Sequence, residues 1–139
     1  MKEVTLNIRS MQNGKETSNI YTVASMKKCR ESYDFVFDSP DEKTFDAKKL
    51  RLSLFRDGLS LCADGTSKLA DMVLEKGKKH YCYFPGNNGE ENIAVGIDTY
   101  RVTSDMTDEG GNFEVEYYMD HNCSNTSRNI MQVSVKPNV

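Results

Sequence analysis

Histidine is scarce in this chain. Two occur in 139 residues, which leaves few general bases that titrate near neutrality. No phosphate-binding loop, dinucleotide fingerprint, nucleophile elbow or H-E-x-x-H stretch is present, and no nucleophile–base pair is legible. The expectation is a protein that is not an enzyme and uses no cofactor. Carboxylate pairs such as Asp105 with Asp108 and Glu114 with Glu116 fall in loops or on an outward strand face, where their role is solvation. A surplus of positive charge is missing too: 18 Lys and Arg against 21 Asp and Glu give a net charge of −3, which argues against nucleic acid as a partner. The nearest basic patch, Lys76, Lys78, Lys79 and His80, reads as a solvated loop. No apolar run is long enough to span a bilayer, and the opening MKEVTLNIRS has no apolar signal core. No membrane association and a cytoplasmic location are therefore expected. The four cysteines, Cys29, Cys62, Cys82 and Cys123, form no C-x-x-C pair and read as reduced thiols in such a compartment.

What the chain does have is alternation. In Leu50–Cys62 (LRLSLFRDGLSLC), Leu50, Leu52 and Leu54 alternate with polar residues, Asp57-Gly58 interrupts, and Leu59 and Leu61 resume. A period of two places each leucine set on one face of a strand, and Asp-Gly between two such runs signals a hairpin turn with positive φ. The same device recurs along the chain. Val4, Leu6 and Ile8 precede Asn13-Gly14; Tyr33, Phe35 and Phe37 alternate with Asp34, Val36 and Asp38; Phe113, Val115, Tyr117 and Met119 follow Gly110-Gly111; Met131, Val133 and Val135 close the series. Further turns are expected at Asp64-Gly65 and Asn88-Gly89. Ile20–Met26 is rich in β-branched residues without a clean polar face. In Ile93–Val102 the apolar phase passes from Ile93, Val95, Ile97 and Thr99 to Tyr100 and Val102, which predicts a bulge or bend near Asp98–Tyr100. Thr66–Lys76 fits two readings, a helix capped by Ser67 and Gly77 or a strand carrying Met72 and Leu74.

Eight to ten short strands joined by tight turns, with no helices to cover a sheet, favour an up-and-down meander that removes its edges by closing. The expected fold is all-β: a single antiparallel up-and-down barrel occupying residues 1–139 as one domain.

The stretch from Arg56-Asp57-Gly58 through the central turns, Gly111–Met119 and Asn129–Val135, together with the first strand, resembles the YwiB-like family. These are small uncharacterised proteins of mostly Gram-positive bacteria. The resemblance implies a calycin-like barrel, related in shape to lipocalins, and tips Thr66–Lys76 toward strand. It supplies no catalytic or binding residues. The chain departs from the pattern at Phe84–Asn92, where its loop is longer.

Candidate site residues come from the chemistry of single side chains. Tyr33, Tyr83 and Tyr117 lie in strands on or near apolar faces, and a buried tyrosine hydroxyl seeks a partner. Arg56 and Arg101 are candidates to meet a carboxylate or phosphate at a barrel mouth. A ligand pocket for a small apolar or amphiphilic molecule is expected near Tyr33, Tyr83, Arg101 and Tyr117, with Ala63, Ala94 and Gly96 leaving room for it. The other reading is a barrel filled by its bulky inward residues and acting through its outer surface as a protein-interaction module. His80-Tyr-Cys82 and His121-Asn-Cys123 each place two metal-ligand types at strand spacing. Packing and surface roles are the expectation there, with no zinc bound.

Overall fold

The computed structural model describes residues 2–38, 49–64, 72–84, 93–121 and 125–138, the side chains at 63, 64, 83, 84, 93, 121 and 125 excepted. Ten strands follow one another: β1 (Lys2–Gln12), β2 (Lys15–Lys28), β3 (Ser32–Asp38), β4 (Lys49–Phe55), β5 (Gly58–Asp64), β6 (Met72–Glu75), β7 (Lys79–Phe84), β8 (Ile93–Thr107), β9 (Gly110–His121) and β10 (Asn125–Pro137). They form one sheet in the order β6-β5-β4-β3-β2-β1-β10-β9-β8-β7. That order is the chain order closed on itself. Every pairing is antiparallel, and β1 meets β10 from Val4 opposite Pro137 to Gln12 opposite Asn129. β6 and β7 end the order and are joined by a tight turn, in which the Lys78 N–H donates to the Glu75 carbonyl at 3.1 Å. The result is the expected all-β, up-and-down antiparallel barrel, nearly closed.

Alternation places the core. Val4, Leu6, Ile8, Phe35, Phe37, Leu50, Leu52, Leu54, Leu59, Leu74, Val95, Ile97, Phe113, Val115, Val133 and Val135 are buried inside. Charged neighbours such as Glu3, Arg9, Lys27, Arg51 and Asp98 are exposed. Apolar inside and polar outside is the reverse of a lipid-facing barrel. No helix among the described residues is long and apolar enough to cross a membrane. Met72–Glu75 forms β6 and so follows the strand reading; residues 66–71 lie outside the described residues, as do the turns expected at Gly65 and Gly89.

Two local readings need correcting. Gly58 is not inside its turn: Phe55 pairs with Gly58, so Arg56-Asp57 makes the turn and Gly58 opens β5. Gly58 is required by space instead, since a Cβ there would lie 1.7 Å from the Leu74 carbonyl oxygen on β6. Asn13-Gly14, by contrast, has the positive φ values (51° and 85°) of the expected hairpin turn. In β8 the register shifts between Thr99 and Arg101, where the phase change predicted it. The inner phase passes to Val102 alone. Tyr100 turns outward and stacks on Tyr118, ring centroids 4.8 Å apart.

The two glycines should therefore respond differently. Gly14→Ala meets no atom within 4 Å and loses about 1 kcal/mol to its backbone conformation alone. Gly58→Ala drives a methyl group into backbone and should lower the urea midpoint several-fold more. Equal losses in the two variants would contradict this packing.

Candidate functional site

The two ends of the barrel differ. At one end the strands are joined by short turns at residues 29–31, 56–57, 76–78 and 108–109. This mouth contains a cleft of about 290 Å³ between the β2–β3 turn, the β4–β5 turn and the last residues of β8. Leu54, Phe55, Tyr33 and Met106 give it an apolar wall; Lys28, Arg30 and Arg56 bring positive charge to its rim, against Glu31. Strand geometry explains the mixture. Tyr33 and Leu54 are cross-strand partners at the ends of inward rows, where the core gives way to turns.

A set of polar contacts braces one side. The Tyr33 hydroxyl donates to Asp108 Oδ1 at 3.0 Å, and Lys28 Nζ meets the same oxygen at 3.0 Å. Lys2 Nζ donates to the Asp108 carbonyl at 3.1 Å and pairs with Glu109 at 3.0 Å. Hydrogen bonds first from Lys28 and then from Tyr33 hold the Asp108 carboxyl below its ordinary range. On the floor of the β2–β3 turn, Asp34 accepts from Ser32 Oγ at 3.1 Å and from the Cys29 thiol at 3.4 Å. Arg30 and Arg56 are exposed and have no acidic partner among the described residues. Charge at this rim is thus divided between a neutralised lysine and two uncommitted guanidinium groups.

Of the four residues expected to line one pocket, three have described side chains, and of these the structure brings only Tyr33 to this cleft. Arg101 lies on the outer face, its side chain 69% exposed, with Nη1 3.4 Å from Glu116 Oε2. The bulge after Thr99 causes this, because it fixes which residues of β8 turn inward. Tyr117 is 4% exposed in the barrel interior, where burial pushes its hydroxyl up to about 12. Tyr83 pairs with Ala94 in the β7–β8 ladder, and its side chain lies outside the described residues. The expected convergence of all four is therefore not the arrangement seen. Gly96 makes no room inside either: the side chain it lacks would point outward into Lys79 and Asp120.

The sequence reading missed Lys28, Arg30 and Met106 at the mouth; the one signal was the basic turn Lys27-Lys28-Cys29-Arg30 after β2. It also missed a polar row inside the barrel. Thr99, Tyr117 and Asn129 face one another on β8, β9 and β10, and all are buried. Asn129 Nδ2 donates to Ser127 Oγ at 3.0 Å and to the Ser127 carbonyl at 3.1 Å. Thr99 Oγ1 is buried with no hydrogen-bond partner. On the outside, Glu116 is 6% exposed beneath Arg101 and Arg128, whose guanidinium also donates to the Tyr100 hydroxyl at 3.1 Å.

Metal-ligand types do not gather. Among the described residues, no three His, Cys, Asp or Glu side chains come together around one point. His80 Nε2 sits 3.1 Å from Glu75 Oε1, Cys82 is buried, and the side chains of His121 and Cys123 lie outside the described residues. Cys29, Cys62 and Cys82 are not in disulfides. Lys78 and Lys79 of the basic stretch are paired with Glu75 and Asp120.

Residues 3–133 match the family described as Domain of unknown function (DUF1934). The chain belongs to that family. No curated protein matches it. The crystal structure of ywiB protein from Bacillus subtilis is similar to this DUF1934 chain with a TM-score of 0.70, at 10% identity, covering 99% of this chain and 93% of that one. At that identity the likeness establishes the barrel fold and carries no residue roles. It agrees with the YwiB-like resemblance in the sequence.

The buried threonine gives a direct test of the interior. Thr99→Val keeps the shape and removes a hydroxyl that has no partner, so stability should rise by about 1 kcal/mol. A clear loss of stability would mean that the hydroxyl is satisfied in solution, by water or by a bound molecule.

Proposed function

We propose that the protein is a non-catalytic, small-molecule-binding barrel that takes an anionic amphiphile at its mouth. The observation carrying this reading is the cleft of about 290 Å³ in which Arg30 and Arg56 stand over Tyr33, Phe55 and Met106. Binding sites for small molecules combine an apolar wall with a few placed polar groups, and this cleft sits at the small end of their usual size. A guanidinium without an acidic partner is suited to a carboxylate or phosphate, which it can grip with two parallel hydrogen bonds. The apolar wall suits a short chain or ring on the same ligand. The interior offers less. Phe35, Phe113, Leu6, Leu52, Leu59 and Leu74 are all under 2% exposed and fill it from every side.

A filled barrel that works as a protein-interaction or accessory module is the second reading. The same packed interior favours it, together with Tyr21 and Tyr81, which are 71% and 56% exposed on the outer surface.

Titration with decanoate, decyl phosphate and decylamine, followed by displacement of an environment-sensitive dye, separates the two. The mouth reading expects saturable binding of the anions and none of the amine. Arg30→Ala and Arg56→Ala should each weaken it roughly tenfold, about 1.4 kcal/mol. Absence of saturable anion binding, or indifference to both substitutions, would leave the interaction-module reading.

A further inference from the structure

The β8–β9 turn reaches across the mouth. In the ring of ten strands β3 and β8 are five steps apart through β1 and five through β5, so they stand on opposite sides of the barrel. Yet Asp108, in the turn after β8, touches Tyr33 near the start of β3 and Lys28 at the end of β2. The turn is fixed by bonds of its own. Thr107 Oγ1 accepts from the Glu109 N–H at 3.2 Å and donates to the Gly110 carbonyl at 3.0 Å. Lys2 Nζ holds the Asp108 carbonyl and the Glu109 carboxylate from the other side. None of these contacts uses the Asp108 carboxylate, so the backbone stays in place if that side chain rotates away.

The carboxylate itself is loosely held. Its Oδ1 meets the Tyr33 hydroxyl and the Lys28 ammonium, both at 3.0 Å, and the side chain is 65% exposed. Exposed ion pairs contribute little, because water and salt compete with them. Lys28 and Tyr33 both line the cleft, beside Arg30 and Arg56. An ammonium and a hydroxyl donor thus open into a space that suits an anion, with a carboxylate of the chain itself set on them. Exchanging it for another carboxylate or a phosphate is nearly neutral by itself. What a free ligand adds is an apolar part to bury on Phe55 and Met106, which Asp108 lacks.

We infer that Asp108 is a built-in competitor for the anionic ligand: its carboxylate occupies the place that a ligand carboxylate or phosphate takes between Lys28 and Tyr33, and binding displaces it. The inference rests on the mouth reading proposed above and adds Lys28 and Tyr33 to the groups that hold the anion. A tethered carboxylate competes at high effective concentration. The affinity seen from solution is then the intrinsic one reduced by the fraction of time the place is free. The contact sets a threshold, so that anions without an apolar part fail to displace it.

Dye displacement by decanoate and decyl phosphate reads this directly. Asp108→Asn should tighten both by roughly fivefold, as when the place is free about a fifth of the time. Glu109→Gln removes the same charge one residue away, on a side chain paired with Lys2, and should change affinity by less than about twofold. Adding Lys28→Met to Asp108→Asn should cancel the gain, and circular dichroism checks that each variant keeps its strands. Equal tightening by Asp108→Asn and Glu109→Gln would reduce the effect to general charge and overturn the inference. So would unchanged affinity in Asp108→Asn while Arg56→Ala still weakens binding, a result that leaves the mouth reading standing. Anion binding that emerges only in Asp108→Asn would support both. No saturable binding by either protein would overturn both.

Discussion

In a meander the first and last strands keep bare edges unless they pair with each other. Here they meet at the ladder that joins the first strand to the last, Val4–Gln12 against Asn129–Pro137. The ladder links residues more than a hundred positions apart, so its closure entropy must be met by what it completes. What it completes is the core. Leu6 stands opposite Val135 and Ile8 opposite Val133, and these four pack with Phe35, Leu52 and Phe113 behind them. Barrel closure and interior packing thus support each other, and neither persists without the other. A fold dominated by such distant pairings is expected to form slowly for its size.

Closure also decides where binding chemistry can lie. A barrel of this width is either filled by side chains or keeps a single small cavity, and among the described residues rows of phenylalanine and leucine are buried inside this one. Among the described residues polar groups are left to three places: the mouth around Tyr33 and Asp108, the inner row of Thr99, Tyr117 and Asn129, and the outer surface. The mouth combines open volume with Arg30 and Arg56, which have no acidic partner among the described residues. The inner row is closed, and on the outside Arg101 and Arg128 are occupied by Glu116.

Much of the architecture was legible in the sequence because alternation is a local property. The inward sets on β1, β3, β4 and β9 could be read directly from their spacing. Even the register shift in β8 was visible, as the change of phase after Thr99. What escaped depends on partners distant in sequence. Gly58 lies beside its turn rather than inside it, and the crowding that requires a glycine there comes from Leu74 on the neighbouring strand. Arg101 suits an anion by residue type, but the bulge after Thr99 turns it to the outer face.

Native-state hydrogen exchange tests the central claim most directly. If closure through β1 and β10 organises the molecule, the amides linking Val4–Ile8 to Val133–Pro137 should be among the slowest to exchange and should open only with global unfolding. The amides of β6 and β7 that face each other, where no ladder joins the strands, should exchange far earlier by local opening. Equal protection at both junctions, or early exchange between β1 and β10 while the rest stays protected, would contradict the account.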